Sequence, residues 1–316
     1  METTQKYIRV TTIQDAVQQV KEQTNAIFVA GGTDVFVNKQ QGNIEADCLI
    51  DISGIQDLKT VVKNESSIEI GALISLENIA LSEEIKLHFT ALIQAALAVA
   101  TPVIRKTATI GGNVLCENRC FYYNQSEWWR EAVGHCLKCN GDICLATGGR
   151  KNCFSKFVSD TAPVLIAYGA FAILIDADGE KKVPLESIYT GDGVVSVGLN
   201  KTTLLKSILI PYSKSKVIFK KLRPRKTLDF TSLTTAIALD DKQKIRIVIG
   251  GVDPKPVVLD ADLSKEDVQQ IIATAIKKPR VVENDFYSRL YRKDMIKVFV
   301  ENSLTELGIQ VNSNIN

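Results

Sequence analysis

The stretch over residues 115–157 limits most strongly what this chain can fold into, because it has no sustained hydrophobic period of 2 or 3.6 residues. It holds six of the chain's seven cysteines, namely Cys116, Cys120, Cys136, Cys139, Cys144 and Cys153. A loop of this length without secondary structure is uncommon in a compact domain unless another component orders it. Metal ligation can supply that order in place of a hydrophobic core. The segment therefore predicts a bound metal or a redox centre.

The cellular compartment bears on how the cysteines are used. Residues 1–6 lack the apolar core of a signal peptide, and no run of 18 apolar residues follows. We therefore expect a cytoplasmic protein without a membrane span. In a reducing compartment a cysteine cluster favours metal binding over disulfides. The formal net charge of +2 is too small to indicate a nucleic-acid-binding protein.

Cysteine spacing alone leaves the kind of metal open. Cys116-x3-Cys120 and Cys136-x2-Cys139 are separated by 15 residues, a spacing that fits a zinc ribbon. Four cysteine thiolates are also the standard requirement of an iron–sulfur cluster. Zinc and iron–sulfur therefore both remain hypotheses at this point.

The hydrophobic pattern outside this stretch predicts an α+β fold. At 316 residues the chain exceeds what one core usually holds, so two or three domains are expected, with the best boundary near residue 212. Helices are predicted over residues 13–22, 89–100, 161–168, 265–277 and 283–304. Strands are predicted over residues 26–30, 48–52, 171–176, 203–210, 217–222, 232–239 and 245–249. The first strands indicate a small open sheet, and the last three a three-stranded antiparallel sheet.

Two glycine-rich loops are candidates for binding a diphosphate. Ala30-Gly31-Gly32-Thr33-Asp34 follows a predicted strand, and Thr109-Ile110-Gly111-Gly112-Asn113 repeats the same chemistry later in the chain. Consecutive glycines allow a ligand to approach backbone N–H groups closely, although a simple tight turn would need the same residues. Neither loop is a Walker loop or a G-x-G-x-x-G turn, so a Rossmann nucleotide site is disfavoured.

These loops belong to a series of motifs that together resemble the flavin-binding subunits of the molybdenum hydroxylase family, which includes xanthine and carbon monoxide dehydrogenases. The other motifs are Leu49-Ile50-Asp51-Ile52, Ile70-Gly71-Ala72, Ser159-Asp160, the set Lys221, Arg225 and Asp229, and Ile249-Gly250-Gly251-Val252. The resemblance implies a two-part, vanillyl-alcohol-oxidase-like FAD-binding domain over residues 1–212, with subdomains 1–58 and 59–212. Residues 213–316 would form the C-terminal domain.

The resemblance also implies which residues hold FAD. The diphosphate would lie between Ala30, Gly31, Gly32, Thr33 and Asp34 of the first loop and Thr109, Gly111, Gly112 and Asn113 of the second. Asp160 would bond along the ribityl or ribose part, and Lys221 would lie near the flavin ring. A helix cap at Asp160 and an exposed strand lysine at Lys221 are the alternative interpretations.

The insert between the second loop and Asp160 separates this chain from most of the family. Asn113 and Ser159 are 46 residues apart, whereas most such subunits have about ten residues there, and the longer insert is similar to that of the 4-hydroxybenzoyl-CoA reductase branch. That resemblance implies a [4Fe–4S] cluster on Cys120, Cys136, Cys144 and Cys153, with Cys116 and Cys139 spare. The insert aromatics would pack against the flavin domain; they are Phe121, Tyr122, Tyr123, Trp128 and Trp129.

The resulting functional hypothesis is an oxidoreductase subunit that takes electrons from ferredoxin through the cluster to FAD. A [2Fe–2S] small subunit and a molybdenum-cofactor large subunit would complete a heterotrimer, which would itself be paired. No general base or nucleophile is needed for this role, and no catalytic residue is proposed. Two alternatives remain: the flavin subunit of an oxidising hydroxylase that passes electrons outward, and a non-catalytic assembly subunit with a zinc-stapled insert.

Overall fold

The computed structural model describes residues 5–311, and its N-terminal part contains a parallel three-stranded sheet in the order β1-β3-β2. The elements are β1 (Lys6–Arg9), α1 (Ile13–Glu22), β2 (Ala26–Val29), α2 (Val35–Gln40) and β3 (Cys48–Asp51). Thr12 begins α1 by accepting a hydrogen bond from the Asp15 backbone N–H. The loop after β2 lies at the C-terminal edge of this sheet, where ligands of parallel sheets commonly bind.

The middle part is built on an antiparallel five-stranded sheet in the order β4-β5-β8-β6-β7. Its elements are β4 (Val61–Lys63), β5 (Ser67–Gly71), α3 (Leu76–Leu81), α4 (Glu83–His88), α5 (Thr90–Ala98), α6 (Pro102–Arg105), α7 (Ile110–Val114), α8 (Glu127–Val133), α9 (Thr161–Ala167), β6 (Phe171–Asp176), β7 (Gly179–Pro184) and β8 (Leu204–Pro211). The cysteine-rich stretch thus separates α7 from α9.

The C-terminal part is an antiparallel sheet in the order β12-β11-β10-β9, covered by two helices. Its elements are β9 (Lys216–Leu222), β10 (Leu233–Leu239), β11 (Lys244–Gly250), β12 (Val257–Asp262), α10 (Val268–Lys277) and α11 (Arg289–Glu306). The prediction of three strands is wrong, because β12 adds a fourth. Pro254 and Pro256 precede it, and Asp260 and Asp262 lie within it, so its sequence has the composition of a loop.

The helix α9 links the middle and C-terminal parts. All seven of its residues are buried, and its core contacts include Ala236, Ala238 and Val248 of the C-terminal sheet. Because α9 packs against both parts, the division near residue 212 stays a prediction.

The α+β prediction is confirmed, and α1 and β6 have the predicted bounds. The cysteine-rich stretch is more ordered than expected, since Ser126 caps the short helix α8 and a 3-10 turn spans Leu137–Cys139. Among residues 5–311, no helix is both long and apolar enough to cross a membrane.

Candidate functional site

The first glycine loop turns directly from β2 into α2. A Cβ atom on Gly31 would lie 1.9 Å from the Thr107 carbonyl oxygen, so only glycine fits there, and Gly32 has a positive φ of 69°. Within the described chain, the backbone N–H groups of Gly31, Gly32, Thr33 and Asp34 donate to no protein acceptor. The loop therefore presents a row of N–H donors to a ligand, as a diphosphate requires.

The second glycine loop begins α7 and uses its N–H groups internally. Gly111 N donates to the Ala72 carbonyl oxygen at 3.0 Å, and Gly112 N donates to Thr109 Oγ1 at 3.1 Å. A Cβ atom on Gly111 would also lie 2.8 Å from the Ala72 side chain. The glycines of this loop thus allow close packing against Ala72, which directly follows β5, whereas the first loop keeps its donors unused.

Asn113, at the end of this loop, points toward the start of α9. Its Oδ1 accepts hydrogen bonds from Ser159 Oγ at 2.9 Å and from Thr161 Oγ1 at 2.7 Å. Its Nδ2 donates to no other group within residues 5–311 and remains available to a ligand. Asp160 occupies the N-cap position of α9, as the alternative interpretation has it, but its side chain makes no capping hydrogen bond; Ser159 Oγ instead accepts from Ala162 N at 3.0 Å.

Asp160 and Lys221 form a buried ion pair. Lys221 Nζ lies 2.6 Å from Asp160 Oδ2, and both side chains are only 5% exposed. Lys221 also donates to the Ala98 and Asp229 carbonyl oxygens, at 3.0 and 3.1 Å. Burial raises the pKa of Asp160, and the Lys221 ammonium opposes that rise. The alternative of an exposed strand lysine at Lys221 is therefore wrong.

Arg119 joins the first glycine loop to the cysteine-rich insert. Its guanidinium contacts the Asp34 carboxylate, donates to Asn38 Oδ1 at 3.0 Å and lies 4.8 Å from the centroid of the Phe230 ring. Burial raises the pKa of Asp34, and Arg119 opposes the rise. Sequence reasoning missed Arg119, and its position next to Cys120 was the only signal that could have drawn attention to it.

The four cysteines predicted as cluster ligands lie around one small cavity. Cys120, Cys136, Cys144 and Cys153 are all buried, with free thiols. The cavity has an empty volume of about 240 Å³, part of which is open to solvent, and it is completed by Tyr122, Tyr123, Leu137, Lys138, Leu145 and Ala146. Neither Cys116 nor Cys139 lines it. The structure thus brings together four cysteines that are spread over 34 positions of the chain.

Backbone N–H groups point at the sulfurs around this cavity. Ser155 N donates to Cys153 Sγ at 3.4 Å. Burial raises the pKa of Cys120 to about 11, with Cys153 and Cys136 nearby adding to the rise. A hydrogen bond from Cys139, with backbone N–H groups of the same turn, lowers the pKa of Cys136 to about 6. Within residues 5–311, no three His, Cys, Asp or Glu side chains are placed to ligate one metal ion.

Aromatic packing holds the insert less than predicted. Tyr123 is buried and donates through its hydroxyl to the Asn43 carbonyl oxygen at 3.2 Å. Trp128, however, is 76% exposed and Phe121 is 44% exposed. The prediction that these aromatics pack the insert against the flavin domain is therefore wrong for Trp128, whereas Phe121 packs edge-to-face against Phe286 of the C-terminal part.

A second, larger cavity lies beside the insert, with an empty volume of about 900 Å³ that includes space open to solvent. Cys120 lines both cavities, and the larger one reaches Arg119, Phe230 and the buried pair of Lys156 and Asp285. In that pair the side chains are 8% and 1% exposed. Burial alone would raise the pKa of Asp285, but the Lys156 ammonium holds this pKa below its usual range.

We expect Asp285→Ala to destabilise the protein strongly, because it leaves the Lys156 ammonium buried without its partner. Removing one member of a buried pair costs roughly 3–5 kcal/mol, which urea unfolding would show as a lower midpoint. Asp178→Ala is the matched control, since Asp178 is 85% exposed and lies 3.8 Å from Lys181; it should leave the midpoint almost unchanged. Equal midpoints for the two variants would contradict a stabilising role of the Lys156–Asp285 pair.

Comparison with known proteins places these features in a family. The sequence model of the family described as the FAD binding domain in molybdopterin dehydrogenase matches residues 2–213. The aldehyde oxidoreductase FAD-binding subunit PaoB of Escherichia coli (strain K12) is 27% identical over 310 residues, which cover 93% of this chain and 97% of that protein. The xanthine dehydrogenase FAD-binding subunit of Escherichia coli O157:H7 is 24% identical over 259 residues, covering 79% of this chain and 75% of that protein.

Solved structures show the same fold. A chain of carbon monoxide dehydrogenase from Hydrogenophaga pseudoflava superposes with a TM-score of 0.76 at 20% identity, covering 95% of this chain and 96% of that one. A chain of quinoline 2-oxidoreductase from Pseudomonas putida 86 gives 0.72 at 15% identity, covering 96% of each. This chain therefore belongs to the family of FAD-binding domains of molybdopterin dehydrogenases, and it is an FAD-binding oxidoreductase subunit of the molybdenum hydroxylase type.

Proposed function

We propose that this chain is the FAD and [4Fe–4S] subunit of a reductase of the 4-hydroxybenzoyl-CoA reductase type. The observation that carries the proposal is the convergence of Cys120, Cys136, Cys144 and Cys153 on one buried cavity, which excludes the other cysteines of the insert. Four thiolates are what such a cluster requires. The zinc-ribbon alternative would need Cys116 and Cys139, and neither of them lines this cavity.

The diphosphate part of the proposed FAD site uses donors that the fold leaves unused. The first-loop N–H groups, from Gly31 to Asp34, and Asn113 Nδ2 suit the diphosphate oxygens. Gly31 lets the loop pass directly against the Thr107 carbonyl group, and Gly32 adopts the positive φ that the turn needs, so the two glycines fix where these N–H groups lie. Asp160 suits the sugar hydroxyls, and Lys221 places a cation beside it. Bound FAD would supply redox chemistry that exchanges electrons singly or in pairs.

In this role the chain accepts electrons from ferredoxin and delivers them to partner subunits in a cytoplasmic enzyme. The proposed partners are a [2Fe–2S] small subunit and a molybdenum-cofactor large subunit, where a phenolic hydroxyl is reductively removed. The three subunits would form a heterotrimer that pairs with a second copy. The proposed domain division, residues 1–212 for FAD and 213–316 for the C-terminal domain, is part of the same proposal.

A second candidate function is an oxidising enzyme of the same family, in which the chain passes electrons outward from FAD. The relatives named above favour it, because they belong to an aldehyde oxidoreductase, a xanthine dehydrogenase and a carbon monoxide dehydrogenase. Both candidates share the FAD site. They differ in the cysteine-lined cavity and in the direction of electron flow.

Metal analysis of the complete enzyme, purified without oxygen, tests the proposal. We expect about four irons and four acid-labile sulfides per chain, beyond those of any separate iron–sulfur subunit. When reduced ferredoxin is mixed with the enzyme, the absorbance of the oxidised flavin should also decrease. Zinc without the additional sulfide, or flavin that ferredoxin cannot reduce but substrate can, would contradict the reductase proposal and favour the outward direction.

A further inference from the structure

A buried lysine lies beside the four cysteines. Lys138 follows Cys136 by two residues in the turn Leu137–Cys139, and its side chain is only 4% exposed. Among the described residues that line the small cavity, Lys138 is the one with a charged side chain; the rest are cysteine, tyrosine, leucine and alanine. A buried cation is rare unless it is held by specific partners, so its position calls for a physical reason.

Three contacts fix the Lys138 ammonium in place. It contacts the Glu117 carboxylate and the Gly193 carbonyl oxygen, and it lies 5.1 Å from the centroid of the Tyr123 ring. Gly193 is itself tied to a cysteine of the cavity, since Gly193 N donates to the Cys153 carbonyl oxygen at 2.9 Å. A Cβ atom on Gly193 would lie 2.8 Å from Cys153 Sγ. The ammonium is thus fixed to the wall of the cavity.

The charge balance gives this lysine a role toward a cluster. Four thiolates make such a site negative, and one added electron makes it more negative still. A fixed cation in a weakly polar environment stabilises the more negative state and so raises the reduction potential. Glu117 opposes the effect, but its side chain is 31% exposed and water screens its charge better than that of Lys138.

We infer that Lys138 is a positioning residue that raises the reduction potential of a cluster held by Cys120, Cys136, Cys144 and Cys153, and that Glu117 moderates this effect. The inference rests on the proposed function, because it requires the cluster. It goes beyond that proposal because it assigns opposite effects on the cluster's reduction potential to Lys138 and Glu117. Neither residue is a proposed metal ligand.

The test is a redox titration of the cluster in the complete enzyme, followed by electron paramagnetic resonance. Lys138→Met should shift the potential to more negative values, by about tenfold in the reduction equilibrium, which is 59 mV for one electron. Lys138→Arg, which keeps the charge, should stay close to wild type. Glu117→Gln, which is nearly isosteric at a partly exposed position, should shift the potential in the positive direction.

The opposite signs separate electrostatic tuning from a structural role, because mere loosening of the insert would not move the two variants in opposite directions. If Lys138→Met fails to fold, the cluster potential of Glu117→Gln is still compared with that of the wild type. An unchanged potential in Glu117→Gln overturns the inference. If both variants contain the wild-type amount of iron and sulfide and neither substitution changes the cluster potential, the inference is overturned but the proposed function is not. Absence of additional iron and sulfide from the wild-type enzyme overturns both.

Discussion

Cys144→Ser is expected to abolish iron binding in the cysteine-lined cavity while FAD stays bound. Cys144 is 5% exposed and lines the cavity with the three other predicted ligands. Its loss removes one of the cysteine thiolates that a [4Fe–4S] cluster requires. Its backbone contacts, including Cys144 N to the Gly149 carbonyl oxygen at 2.7 Å, do not depend on the sulfur. Iron, acid-labile sulfide and FAD per chain, measured without oxygen, check the expectation.

Cys139→Ser is the matched control, because Cys139 belongs to the same insert but does not line the cavity. We expect it to keep iron and sulfide at the wild-type level. The zinc-ribbon hypothesis predicts the reverse, since it uses Cys116, Cys120, Cys136 and Cys139 and leaves Cys144 out. Metal retained in Cys144→Ser but lost in Cys139→Ser would therefore exclude the proposed ligand set.

Hydrophobic periodicity was sufficient to predict helices and strands that bury one apolar face and expose the other. The helix α1 has a clear apolar face through Ile13, Ala16 and Val20, and its predicted bounds are those of the structure. The strands β4 and β12 were missed for different reasons. The strand β4 has only three residues, Val61-Val62-Lys63, which is too short for an alternation to show, whereas β12 carries acidic residues that are typical of turns.

The parts of the candidate site that contain consecutive glycines or clustered cysteines could be predicted from the sequence. The buried charged residues of the site could not. Consecutive glycines and clustered cysteines stand out in a sequence. Arg119, Lys138 and Lys156 do not, because charged residues are nearly always expected at the surface. Their burial depends on partners far away in the chain, such as Asp34 and Asp285, and no local pattern predicts such pairs.

Buried polar groups attach the insert where its aromatic side chains pack less than expected. Arg130 is 5% exposed and donates to the Gln41 carbonyl oxygen at 2.9 Å, which ties the insert to the N-terminal part. Lys156 ties its other end to Asp285 of the C-terminal part. Buried polar bonds are directional and costly to leave unpaired. They therefore fix the insert in one position beside the glycine loops, as the proposed electron transfer from a cluster in the insert to FAD would require.

Gly31→Ala is expected to remove FAD binding and to destabilise the fold. The new Cβ atom would lie 1.9 Å from the Thr107 carbonyl oxygen and 2.7 Å from the Thr107 carbonyl carbon, which are backbone atoms that cannot rotate away. Relieving the clash must move the first glycine loop away from residues 104–109, at a cost of roughly 1–3 kcal/mol or more. The same movement displaces the N–H donors of Gly32 and Thr33. Flavin per chain after gel filtration and the urea midpoint of the flavin-free protein measure the two effects separately.

Gly149→Ala provides the control for a glycine-to-alanine change in an exposed loop. Its new Cβ atom would meet only the Thr147 side chain, at 3.3 Å from Oγ1, and its φ is not positive. We expect wild-type flavin content and an unchanged midpoint. For Gly31→Ala we expect FAD affinity to fall at least about tenfold, which corresponds to 1.4 kcal/mol. Full flavin retention in Gly31→Ala would mean that the first loop does not hold the diphosphate, whereas lost flavin with an unchanged midpoint would show that the loop serves FAD binding rather than folding.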